Sequence, residues 1–207
     1  MKRPKVKVCG MTRQEDVNLC SGLGAHFLGF IFHEGSPRNV RRDFAAGADA
    51  GSAAKVGVFV RQTADEVKEI IRECGLDYAQ LHGGQDEEFC DAVGPDRVIK
   101  VLWPEKYDSP EALQADIVRF APHCSHLLFD TGKSGGGHGR AMNLDIFQSI
   151  AIPKPWFLAG GLCAENTHAA LQVEPDVLDL NSGVEAAPGI KDENKLRAVM
   201  QKLSEAS

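Results

Sequence analysis

The chain has 207 residues, 43% hydrophobic and 25% charged, enough apolar surface for one globular domain with a sizeable core. Its formal charge of -6 comes with Lys and Arg scattered rather than clustered, which argues against nucleic acid or an anionic membrane as a partner. No apolar run reaches the roughly 20 residues of a membrane span, and "MKRPKVKV" has no apolar signal core, so the expectation is a cytoplasmic protein whose six cysteines stay reduced.

In chain order, short β-branched or aromatic runs alternate with helical patterns. "KVKVC" comes first, and Thr12 and Glu15 after it stand at the spacing of a capping box, predicting a helix start. "FLGFIF", "KVGVF" and "YAQL" follow, with Thr63 and Glu66 as a second capping box between the last two. "VIKVL" precedes Ser109 and Pro110, a cap and a proline at the first helical position, and "HLLFD", "WFLA" and "VLDL" complete the strands. A final helix from about Lys191 to Leu203 carries Leu196, Val199, Met200 and Leu203 on one face. Strands that alternate with helices run parallel, and eight such units in this length predict an α/β fold, a (β/α)8 TIM barrel, as a single domain over residues 1–207. A doubly wound open sheet is the alternative.

A barrel of this kind places its active site at the C-terminal ends of the strands. The residues there are Cys9, Ser36 to Arg38, Gln80, His82, Asp130, Ala159 to Leu162 and Asn181 to Glu185. Glycines in the last two loops leave backbone N–H groups accessible to an anion, so Gly160, Gly161, Ser182 and Gly183 are the candidate phosphate cradle. No metal is expected, because "HCSH" (His123 to His126) has no second ligand cluster and no C-x-x-C occurs. "DTGKSGG" is not a P-loop, since Leu127 stands where the first glycine belongs, and "GGGHGR" does not fit G-x-G-x-x-G. Position alone leaves plainer readings open: Cys9 as a packed thiol, Arg38 as a solvated charge, Asp130 as a strand-end cap, Gln80 and His82 as hydrogen-bonding fill at the barrel top.

Strand alternation makes a further expectation. If Cys9 points into the barrel, so does Lys7, and Asp179 on the eighth strand also points inward. In a closed barrel the first and eighth strands are neighbours, so Lys7 and Asp179 should pair. In an open sheet they would be apart.

The segments "KVCGMT", "SPRNV", "VGVF", "QLHG", "LLFDTGKSGGGHG", "LAGGLCAEN" and "LDLNSGVEAAPGIKD", in this order, resemble the phosphoribosylanthranilate isomerase family of tryptophan biosynthesis. The resemblance implies an Amadori rearrangement of N-(5-phosphoribosyl)anthranilate to 1-(2-carboxyphenylamino)-1-deoxyribulose 5-phosphate. It implies no cofactor, a small-molecule phosphosugar as partner, and a monomer or homodimer. It also implies Asp130 as general acid and Cys9 as general base. A thiol of ordinary pKa about 8.5 would serve best if the following helix N-terminus lowered it, whereas Asp130 would need a raised pKa to donate. Arg38, behind Pro37, suits the substrate carboxylate. The loops "GMTRQ" and "GKSGGGHG" are candidates to close over the ligand. Two departures from the family pattern fall near the second loop: His138 replaces a hydroxyl residue, and Met142 and Leu144 replace aromatic ones.

Overall fold

The computed structural model describes residues 3–132 and 144–205. All eight expected strands form: β1 (Lys5–Cys9), β2 (Phe27–Phe32), β3 (Ala54–Phe59), β4 (Tyr78–Leu81), β5 (Val98–Leu102), β6 (His126–Asp130), β7 (Trp156–Ala159) and β8 (Val177–Leu180). They pair in sequence order, all parallel, and β8 returns to β1, so the sheet is a closed barrel and not an open one.

The helices that cover it are α1 (Gln14–Gly22), α2 (Arg42–Gly47), α3 (Ala64–Cys74), α4 (Glu87–Val93), α5 (Pro110–Phe120), α6 (Thr167–Leu171) and α7 (Glu193–Glu205). Between β6 and β7 the described residues form only a 3-10 turn, Asp145–Gln148, whose Phe147 stacks on Trp156 with ring centroids 5.0 Å apart. A short antiparallel hairpin, β9 (Glu185–Ala187) with β10 (Ile190–Lys191), stands between β8 and α7, and sequence patterning did not reveal it.

Of the three helix starts expected from cap signals, local chemistry makes two. Thr63 Oγ1 accepts the Glu66 N–H at 3.3 Å while the Glu66 carboxylate accepts the Thr63 N–H at 2.7 Å, so α3 begins in a true capping box. Ser109 Oγ accepts the Ala112 N–H at 3.2 Å, and Pro110 opens α5. The expected box at Thr12 is not made: Arg13 holds the N-cap position without a side-chain bond, and the Thr12 hydroxyl instead donates to the Gly189 carbonyl in the β9–β10 turn. Thr63→Ala should cost about 1 kcal/mol, the usual worth of such a cap. A urea melt checks this, and an unchanged midpoint would contradict the cap's contribution.

Alternation along the strands separates two cores. Val6, Val8, Leu28, Phe30, Leu127, Phe129, Leu178 and Leu180 face the helices and are fully buried there. Inside the barrel, Phe27, Tyr78, His126 and Phe157 meet edge to face near the N-terminal strand ends, ring centroids 5.3 to 6.0 Å apart, and form an apolar floor. Above that floor the inward residues turn polar.

Candidate active site

The first polar layer holds Lys7, Gln80 and Asp179, all buried. Lys7 Nζ donates to Asp179 Oδ2 at 2.7 Å and to Gln80 Oε1 at 2.8 Å, so the pairing expected from barrel closure is present. Burial by itself favours a neutral amine, but the charges of Asp179 and then Cys9 outweigh it and hold the ammonium above the usual lysine range. The layer continues upward on one side. Gln80 Nε2 lies 3.4 Å from His82 Nδ1, and His82 Nε2 lies 3.9 Å from Asp130 Oδ2. Because Gln80 Oε1 is already engaged by an ammonium, its amide group is the donor toward Nδ1, which places the His82 proton on Nε2, facing Asp130. Burial lowers the His82 pKa to about 4, so the ring is neutral near pH 7. Its edge rests on Trp103, with ring centroids 5.2 Å apart.

Cys9 and Asp130 cap this layer from the ends of β1 and β6. Cys9 is register-paired with Gly29, and a side chain there would stand 2.6 Å from Sγ, so glycine is what leaves the thiol room to turn inward. The thiol is buried, and burial pushes its pKa up while the Lys7 charge beneath pulls it back. The expectation of a thiol lowered by a helix N-terminus is therefore reversed: α1 starts only at Gln14, and desolvation dominates at Cys9. Asp130 follows its expectation. Burial raises its pKa above the ordinary carboxylate value against the opposing pull of the Gly132 N–H, which donates to Oδ1 at 3.0 Å.

Arg38 does reach the barrel mouth, but it is not free there. Its Nε lies 2.9 and 3.0 Å from the two Glu185 oxygens and its Nη2 lies 2.6 Å from Oε2, a partnership across 147 residues. Lys191 Nζ donates to Glu185 Oε1 at 2.8 Å and to Asn181 Oδ1 at 3.1 Å. Glu185 stood among the strand-end residues of the sequence, but its partnership with Arg38 and the place of Lys191 in the site were missed; the one signal was a charged pair flanking a Pro-Gly turn just after the eighth strand. A side chain at Gly10 would meet Arg38 Cδ at 2.8 Å and Asn181 Oδ1 at 2.9 Å, which brings Arg38 and the end of β8 to the residue after Cys9.

The two glycine loops also meet. A side chain at Gly183 would run into the Leu162 carbonyl, so the turn Ser182–Val184 lies directly on the loop that carries Gly160 and Gly161, both at positive φ. Arg140, His138 and Met142, and the "GKSGGGHG" segment beyond Gly132, lie outside the described residues, whereas Leu144 packs partly buried against the outer core. "HCSH" is dispersed: His123 meets Asp91 at 2.7 Å on the surface, Cys124 is buried, and His126 belongs to the barrel floor.

Comparison with known proteins identifies the family. Residues 6–202 match the family described as N-(5'phosphoribosyl)anthranilate (PRA) isomerase. The chain is 61% identical over 194 residues to the N-(5'-phosphoribosyl)anthranilate isomerase of Maridesulfovibrio salexigens, covering 93% of this chain and 95% of that one. The crystal structure of phosphoribosyl anthranilate isomerase from Thermus thermophilus superposes with a TM-score of 0.84 at 36% identity, covering 98% of this chain and 100% of that one. A phosphoribosyl anthranilate isomerase in complex with reduced 1-(o-carboxyphenylamino)-1-deoxyribulose 5-phosphate superposes at 0.79 with 25% identity, covering 98% and 99%. With a closed eight-stranded barrel and a family match over nearly its whole length, the chain belongs to the N-(5'-phosphoribosyl)anthranilate isomerase family, isomerases of the aldose–ketose type in tryptophan biosynthesis.

Proposed function

We propose that Asp130 is the general acid and Cys9 the general base of this isomerisation. The observation that carries the reading is the placement of a carboxyl with a raised pKa and an inward thiol at the ends of β6 and β1, over one polar layer. The substrate's furanose ring must open, which needs a proton delivered to the ring oxygen, and C2 must lose a proton. A buried carboxyl whose protonated form burial favours supplies the first, and a thiolate favoured by the ammonium of Lys7 accepts the second. His82, neutral and with its Nε2–H toward Asp130, steadies the carboxylate left after donation.

The two anionic ends of the substrate fit the two remaining clusters. Backbone N–H groups of Gly160, Gly161, Ser182 and Gly183 are the proposed phosphate cradle, where close loop contact permits an anion to approach the main chain. Arg38 takes the carboxylate. Arg38→Met should raise KM roughly 10- to 100-fold, the value of one lost charge-assisted interaction, with a smaller fall in kcat if the ring is also misaligned. Steady-state kinetics decides, and an unchanged kcat/KM would move the carboxylate elsewhere.

On this reading one (β/α)8 domain over residues 1–207 does the chemistry, as a monomer or homodimer and without a cofactor. All six cysteines are unpaired, which suits the reducing cytoplasm, and no helix among the described residues is long and apolar enough to cross a membrane. The direct test is conversion of N-(5-phosphoribosyl)anthranilate to its ketose product by the purified chain. Absence of turnover above the uncatalysed rate would overturn the assignment.

A further inference from the structure

We propose that Glu185, seated in the β9–β10 hairpin, is a positioning residue that aims Arg38 at the substrate carboxylate. The inference rests on the reading of Arg38 given above and deepens it. Four donor groups converge on the Glu185 carboxylate: Arg38 Nε and Nη2, Lys191 Nζ, and the Gly189 N–H at 3.1 Å. Its backbone is held too, since Lys195 Nζ donates to the Glu185 carbonyl at 2.8 Å. The hairpin itself is tied to the rim. Gly189, at φ +81°, receives the Thr12 hydroxyl from the loop after β1, and the Lys191 N–H donates to Asp16 Oδ2 at 3.2 Å.

Charge accounting separates positioning from mere folding. Glu185 is buried and already has Lys191 as a counter-ion, itself buried, so neutralising the carboxylate does not require Arg38 as well. Arg38 and Lys191 against one Glu185 leave this cluster one positive charge in excess, in a chain whose formal charge is -6. A planar guanidinium has two edges that suit a carboxylate. Glu185 occupies the edge made by Nε and Nη2, and the end formed by Nη1 and Nη2 remains for a second carboxylate. Locking a long, rotamer-rich side chain during folding spares substrate binding from ordering it, so the expected effect appears in KM.

The test is a double-mutant cycle between Glu185 and Arg38, read as kcat and KM separately. Glu185→Gln should raise KM roughly ten-fold with kcat within about two-fold, because a charge-assisted fork becomes a neutral contact. The same substitution in the Arg38→Met background should leave KM where Arg38→Met alone puts it. The aniline analogue of the substrate, which lacks the ring carboxylate, should show no penalty from Glu185→Gln. If that variant does not fold, Glu185→Asp serves, since it keeps the charge but draws it back, and it should raise KM with Arg38 present and not in the Arg38→Met background. KM unchanged by the Glu185 substitutions while Arg38→Met raises it, or raised equally in both backgrounds, would overturn the positioning role. An unchanged KM in Arg38→Met would instead overturn the carboxylate reading of Arg38 on which this rests.

Discussion

Cys9→Ala and Asp130→Asn should each lower kcat by roughly 10²–10⁴-fold, the usual worth of a positioned proton-transfer group, while leaving a folded barrel that still binds phosphate. Neither substitution adds bulk, and both side chains stand at strand ends above the packed floor, so lost activity will not reflect lost structure. Pre-steady-state and steady-state turnover of the purified variants, with circular dichroism as the fold control, makes the measurement. Turnover within a few-fold of the parent in either variant would sink the acid–base assignment. It would then favour a barrel that binds phosphate without performing chemistry on Cys9 or Asp130.

The same pair sets the pH dependence. Asp130 must be protonated to donate, so activity falls as pH rises through its pKa, which burial has raised. Cys9 must be a thiolate to accept, so activity falls as pH drops below a thiol pKa that burial has also raised. The working state thus combines the protonated form of the stronger acid with the ionised form of the weaker one. The profile is a bell whose two limbs belong to the pair. Asp130→Asn should remove the alkaline fall governed by the carboxyl from whatever residual activity survives, and Cys9→Ala the acid fall governed by the thiol. A profile unchanged in shape in both variants would assign the titrations to other groups.

Lys7→Met should destabilise the protein by about 3–5 kcal/mol, the usual cost of leaving one member of a buried ion pair without its partner. Asp179 is then left without a partner among the described residues, because its Oδ2 loses the Lys7 ammonium and its Oδ1 has none to begin with. Asp179→Asn should cost less. The amide oxygen still accepts from Lys7, which also keeps Gln80 Oε1 at 2.8 Å, so the ammonium retains two oxygen acceptors. Urea unfolding of both variants checks the order. Equal losses, or a larger loss for Asp179→Asn, would show that the pair does not carry its charge as described. Lys7→Met should also depress kcat beyond its effect on the folded fraction, since the thiol loses the charge that most favours its ionised form.

Several features of this protein were determined by sequence alone, and each has a short-range cause. The eight strands are visible because β-branched and aromatic runs bury both faces of a parallel sheet, and α3 and α5 announce themselves because a cap needs only residues three apart. Even the buried contact of Lys7 with Asp179 was legible, since two-residue alternation, barrel closure and the cost of burying an unpaired charge point to it. What tertiary structure alone decided involves distant partners or the local dielectric. Thr12 stands in a perfect capping-box pattern, yet its hydroxyl serves Gly189 because the hairpin folds back across 177 residues and offers a carbonyl. Arg38 stands in an open-looking loop, yet Glu185 claims one edge of it from 147 residues away. The direction of the Cys9 pKa was likewise out of reach, because a thiol's ionisation answers to the whole desolvating shell around it and to Lys7 beneath it, not to the helix that follows it in the chain.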